Sequence, residues 1–253
     1  MKLSPSLLVL AMAAVALPAF ADEPAPAPAP ADPLSFNVGA VTEYRYRGIS
    51  QSRLKPALQG GIDYAAANGF YVGTWASTIK WIKDIPGGGN AGAEIDIYGG
   101  YKTEVAKGLT LDVGGLQYWY PGNKLGNVGL ANANTFELYG ALTYGPVTAK
   151  YSHSLTNLFG NPDSKNSGYL DVTATFDLGD GLSLAPHVGH QTIKHLSVGS
   201  YTDYSVTLAK DFSGLVLSGA VVGTDADKTF YASPANGKFL GKTTLVVGLK
   251  KTF

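Results

Sequence analysis

The stretch TTLVVGLKKTF, Thr243 to Phe253, decides the fold because its side chains sort by parity. Thr243, Leu245, Val247, Leu249 and Phe253 fall on one face, and Thr244, Gly248, Lys250 and Thr252 on the other. A period of two belongs to a β-strand with one oily and one polar side. Lys251 alone interrupts the oily face, at a strand end where a long side chain can carry its charge back to polar surroundings.

The same alternation recurs upstream at intervals of roughly eighteen residues, a spacing that suits strands joined by alternating short and long connections. The first strand reads Leu34, Phe36, Val38, Ala40, Tyr44 and Tyr46 against Ser35, Asn37, Gly39, Glu43, Arg45 and Arg47. Leu58, Ile62 and Tyr64 oppose Gln59 and Asp63; Ile95, Ile97 and Tyr101 oppose Glu94, Asp96 and Lys102. Phe136, Leu138, Leu142 and Tyr144 oppose Thr135, Glu137 and Thr143. Leu170, Val172 and Phe176 oppose Asp171, Thr173 and Asp177, and Tyr204, Val206 and Leu208 oppose Asp203, Ser205 and Thr207. With the less regular segments near 70–79, 109–120, 147–158, 182–191 and 215–224 the count is about twelve strands, an even number.

Tight turn signals stand at Asn68-Gly69, Gly145-Pro146, Gly179-Asp180-Gly181 and Asp211 to Gly214, with a somewhat longer one at Lys107-Gly108. Longer polar stretches alternate with them: 51–55, 80–92, 121–133, 159–167, 192–200 and 225–241. In hydrocarbon an unpaired backbone amide costs several kcal/mol, so strands cross a membrane only when the sheet closes on itself. Short turns at one end, long loops at the other and aromatics at segment ends (Tyr44, Tyr46, Tyr101, Trp119, Tyr144, Phe253) are the features of such a barrel. The expected fold is therefore all-β: a transmembrane antiparallel up-and-down β-barrel of about twelve strands in the bacterial outer membrane. Phe253 is expected to close the last strand against the first. The three tryptophans, Trp75, Trp81 and Trp119, are expected to anchor at the membrane interface.

The N-terminus agrees with export. Lys2, an apolar run from Leu7 to Leu17 and Ala19-Phe20-Ala21 compose a secretory signal over residues 1–21. Residues 22–33, DEPAPAPAPADP, are expected to form an extended Pro/Ala-rich linker, leaving 34–253 as the barrel. The chain has no cysteine, so no disulfide supports it, and equal numbers of acidic and basic residues give no global charge that would draw nucleic acid.

Beyond the general pattern, FNVGAVTEYRYRGISQS (Phe36 to Ser52), GFYVGTWAS (Gly69 to Ser77), EIDIYGGYK (Glu94 to Lys102) and YWYPG (Tyr118 to Gly122) resemble shared blocks of the proteobacterial TorF-type porin family. The resemblance runs from about Leu34 to Phe253 and implies an outer-membrane channel; it carries no substrate or catalytic residue. The terminal strand ending in Phe253 also resembles the signal that such proteins present to the outer-membrane assembly machinery, Lys251 being a departure from it.

Carboxylates of polar parity, Asp63, Asp96, Glu137, Asp171 and Asp203, are expected at similar depth near the outer mouth, where Glu43, Arg45 and Arg47 approach them and Lys242 starts the last strand. Rings of charge select ions in pores. The expected function is a porin-like channel for passive diffusion of small solutes or ions through this charged lumen; the alternative is a closed structural or adhesive barrel acting through its loops. No enzyme is expected. His153 faces away from Ser152 and Ser154, and His195 with Ser197 lies in a loop without a third partner. His187 and His190, three apart on a strand, point away from each other, so no metal site and no cofactor is expected. IPGGGNAG (Ile85 to Gly92) lacks the lysine and helix of a phosphate loop and reads as surface.

Overall fold

A computed structural model describes residues 33–253. The expected export signal, and the linker up to residue 32, lie outside the described residues. Twelve strands form one antiparallel sheet: β1 (Leu34–Val41), β2 (Ala57–Ala65), β3 (Phe70–Thr78), β4 (Ala93–Ala106), β5 (Leu109–Trp119), β6 (Thr135–Tyr144), β7 (Val147–Ser154), β8, β9 (Leu182–Thr192), β10 (Tyr201–Asp211), β11 (Leu215–Thr224) and β12 (Thr244–Thr252). β8 runs through Gly168–Ala174 and Phe176–Gly179 with one break at Thr175, whose N–H bonds the Pro146 carbonyl at 2.8 Å. Each strand pairs with its sequence neighbours, and β1 pairs with β12, so no edge is left.

The seam bears out the reading of the terminal strand. Asn37 faces Thr252 and Val41 faces Gly248, and Phe253 exchanges backbone hydrogen bonds with Phe36 at 2.9 and 3.2 Å. Lys251 turns its Nζ to the Ser213 carbonyl, 3.1 Å away in the β10–β11 turn, and so leaves the oily belt.

The parity rule holds right round the wall. Ile62, Val72, Ile97, Leu138, Leu170 and Val206 are each about half exposed on the outside, and Tyr144 and Phe253 are 68% and 70% exposed at strand ends. A continuous apolar exterior on this scale fits lipid and no aqueous surface. The opposite parity is polar or small and buried: Ser77, Glu94, Asp96, Glu137, Ser183, Thr207 and Ser218.

One element departs from the expected pattern. β1 stops at Val41, where the Thr42 hydroxyl and N–H both engage Val247, and the chain turns into the bore. There Arg45–Tyr46 and Ile49–Ser50 pair as a two-stranded hairpin. Its turn, Arg47-Gly48, has φ of 45° and 77°, both positive as a type I′ turn requires. Tyr44 and Tyr46, expected in the interfacial girdle, are therefore buried inside the barrel. Trp75 likewise faces inward, its ring 5.5 Å from that of Tyr44, and Trp81 stacks edgewise on Tyr120 among the loops. Only Trp119 of the three tryptophans stands exposed on the outer face.

Candidate functional site: the charged constriction

The inner hairpin is held by side chains from six strands. Tyr44, just before it, donates its hydroxyl to Glu94 of β4, and the Tyr46 hydroxyl meets that of Tyr118 of β5 at 2.7 Å. Arg47 reaches β6 and β9: Nη2 lies 2.7 Å from Glu137 Oε2, Nη1 lies 3.2 Å from Glu137 Oε1, and Nη1 donates to Gln191 Oε1 at 2.7 Å. Its guanidinium sits over the rings of Tyr169 of β8, at 4.2 Å, and Tyr46, at 4.7 Å. A planar fork suits both contacts, bidentate to a carboxylate and stacked on aromatic faces. Gly48 approaches β10 so closely that a Cβ there would lie 2.7 Å from Asp203 Cβ. The hairpin thus lies across the bore.

The candidate residues separate into groups. Glu43 sits 2.7 Å from Arg45 Nε, while Arg45 Nη1 donates to the Gly48 carbonyl inside the hairpin at 2.8 Å. Glu137 holds Arg47. Asp171 and Asp203 clasp His187 from both sides, each carboxylate 2.9 Å from a ring nitrogen, and Tyr169 donates to Asp203 at 3.0 Å. Asp96 is buried near Tyr44, Tyr118 and Tyr120. Of these seven, Arg45 and Arg47 belong to the hairpin and the other five lie around it. Asp63 does not join them: it lies six residues below the loop end of β2, bonded by the Tyr98 hydroxyl and near Lys250. Lys242, expected at the start of β12, is exposed in the loop before it.

Sequence reasoning left out Glu94, His187, Tyr169 and Gln191. All four have the inward parity, so parity was the available signal; what one sequence lacks is the hairpin that gives them a partner. At the level of the hairpin, six carboxylates (Glu43, Glu94, Asp96, Glu137, Asp171, Asp203) surround Arg45, Arg47 and His187. Below it the charges alternate in sign. Lys102 lies by Asp112, Lys250 by Asp63 and Asp211, and Lys150 by Asp171 and 4.3 Å above the Tyr139 ring.

Above the hairpin the six long loops join in a ring. Gln51 accepts from Lys80 N–H at 2.8 Å, Asn90 N–H donates to Gly122 at 3.1 Å, and Ala131 N–H to Gly160 at 2.8 Å. Lys194 N–H donates to Ser167 Oγ at 3.0 Å, the Tyr231 hydroxyl to Gly199 at 2.6 Å, and Ser50 N–H to Leu240 at 3.0 Å, which returns to the first loop. Arg53 and Asp84 add an ion pair between the first two loops. IPGGGNAG is the surface loop expected, bridged by Gly89 to Asn123. Burial pushes the Tyr231 hydroxyl up, so it stays a neutral donor in this ring.

Two solved small porins share this architecture. A KdgM porin, solved in complex with disordered oligogalacturonate, superposes with a TM-score of 0.55 over 87% of this chain and 99% of its own, at 8% identity. The NanC porin gives a TM-score of 0.53, covering 87% of this chain and 98% of its own, at 11% identity. Identities this low establish a shared fold, that of an outer-membrane porin barrel. A search of curated proteins found no match. The family match extends over residues 25–253, and the chain belongs to the family described as a bacterial protein of unknown function, Gcw_chp.

Proposed function

We propose that the chain is a narrow diffusion channel of the outer membrane, the role that the resemblance to TorF-type porins implies, and that its charged lumen favours small cations and neutral solutes. The observation that carries this reading is the hairpin lying across the bore, with six carboxylates against two arginines and a histidine around it. A segment across the bore limits solute size, and an acid excess at the narrowest level favours cations. Glu43, Asp96, Asp171 and Asp203 supply the selectivity with Glu137, while Arg45 and Arg47 position the hairpin; Asp63 acts separately, lower in the bore. KdgM was solved with an acidic sugar. The lining here opposes one, so oligogalacturonate should not block this channel.

The test is a planar-bilayer recording of the refolded mature chain in a salt gradient. Small discrete steps with a cation-directed reversal potential are expected, and Asp96→Asn should move that potential toward the anion side. An unchanged potential would remove the acidic lining from the account. Near-complete burial of Arg45, Glu94 and Glu137 favours a second reading, a closed structural or adhesive barrel working through its loops. Replacing Arg45–Ser50 by two glycines separates them: a silent parent with a conducting variant means that the hairpin is a stopper.

A further inference from the structure

Formal charge cancels over the whole sequence, yet it is unevenly placed. The six long loops expose nine lysines. Lys55, Lys80, Lys194 and Lys242 stand two residues from the ends of β2, β3, β9 and β12; Lys83, Lys124, Lys165, Lys228 and Lys238 lie farther out. Three carboxylates are exposed among them. Asp163 is 3.1 Å from His195, Asp225 caps the Thr202 N–H, and Asp227 accepts from the N–H groups of Thr229 and Phe230. The remaining loop carboxylate, Asp84, is buried against Arg53. At the opposite end Lys107, Lys210 and Lys251 are more than matched by Glu104, Asp177, Asp180 and Asp211, so the excess is one-sided.

We infer that the long-loop rim is a docking surface for the phosphate groups of anionic lipids in the surrounding leaflet, with Lys55, Lys80, Lys194 and Lys242 as its inner collar. Position selects lipid over a soluble polyanion. All four are exposed two residues beyond a strand end, at the height where headgroups begin: Lys80 and Lys194 continue the lipid-facing parity of β3 and β9, Lys242, Lys55 and Lys80 follow one another along the arc β12–β1–β2–β3, and Lys194 stands on β9, an open arc of the rim and no pocket. Lysine suits the task, since its stem lies along apolar surface while the ammonium meets a phosphate as a point charge. The contribution near an anionic surface is additive over lysines and screened by salt.

The experiment uses the full mature barrel, folded in phosphatidylcholine vesicles with or without lipid A, and reads lipid A retained by the protein as salt is raised. The parent should retain lipid A at low salt and release it at high salt. The variant K55Q/K80Q/K194Q/K242Q should bind on the order of a thousandfold more weakly, while the short-turn variant K107Q binds as the parent does. Heat-modifiable electrophoretic mobility reports folding separately from binding and from conductance. Should the quadruple variant not fold, the pairs K55Q/K80Q and K194Q/K242Q carry the test, each expected to lose about thirtyfold. Equal retention by the collar variants would overturn the proposal. So would dextran sulfate binding the parent as tightly as lipid A does, which would identify a free polyanion as the partner.

Discussion

Arg47 and Glu137 are both buried, and each meets the other through two nitrogen–oxygen contacts. Removing one partner of such a pair leaves an uncompensated charge out of bulk water, which costs about 3 to 5 kcal/mol. Arg47→Ala is therefore expected to lower the unfolding free energy of the barrel, measured by urea titration, by that order. Arg47→Lys should recover little, because an ammonium cannot bond Glu137 and Gln191 while stacking on Tyr169. Full recovery by lysine would mean that charge alone holds the hairpin. The inward parity of Arg47 was legible in the sequence, and its partner was not. Glu43, Arg45 and Arg47 keep the odd-numbered polar parity of β1 past one inversion at Val41-Thr42, where the strand in fact ends; with the parity restored beyond it, a strand running through Tyr46 and a hairpin beginning at Arg45 look alike. The turn gave no warning either, since a non-glycine residue at positive φ is uncommon and Arg-Gly is not among the usual hairpin dipeptides.

Between strands, alternation fixed which side chains face lipid, and twelve strands follow from it as expected. It says nothing about register, and register creates a feature of the inner wall. Tyr71 lies over Gly100, Tyr98 over Gly73, Tyr139 over Gly114 and Tyr169 over Gly189, so four rings each rest on a bare stretch of backbone in an adjacent strand. A ring laid on glycine covers exposed backbone and points its hydroxyl along the wall. The Tyr71 and Tyr139 hydroxyls meet in this way, and Tyr71 donates to Asp112 at 2.6 Å. Gly114→Val should lift Tyr139 off β5 and part the two hydroxyls, destabilising the barrel by about 1 to 3 kcal/mol. The double variant with Tyr139→Ala should cost less than the sum of the two single changes. Strict additivity, measured by urea unfolding in vesicles, would show that the ring and the glycine act independently.

At the scale of the molecule, sequence composition reads as electrically featureless, while the folded chain has a basic loop end, an acidic level at the hairpin and balanced charge below. The ring of loops was invisible for a similar reason: its six contacts are backbone and hydroxyl bonds between segments far apart in the chain. Shortening the last loop by removing 229–238 takes away Tyr231 and its bond to Gly199. That should raise protease sensitivity in the first and fifth loops while leaving the strands protected; unchanged cleavage would show that each loop stands alone. The pairing of β1 with β12 has a consequence in time. The two strands that seal the barrel are the first and last of the described chain, so every intermediate made before β12 arrives carries two open sheet edges. Partial chains can form hairpins but cannot reach the closed state, and each must be shielded or destroyed. Closure is thus a single late event that tests whether the whole wall is present, and deletion of 244–253 should yield degraded or aggregated chain in place of a smaller barrel.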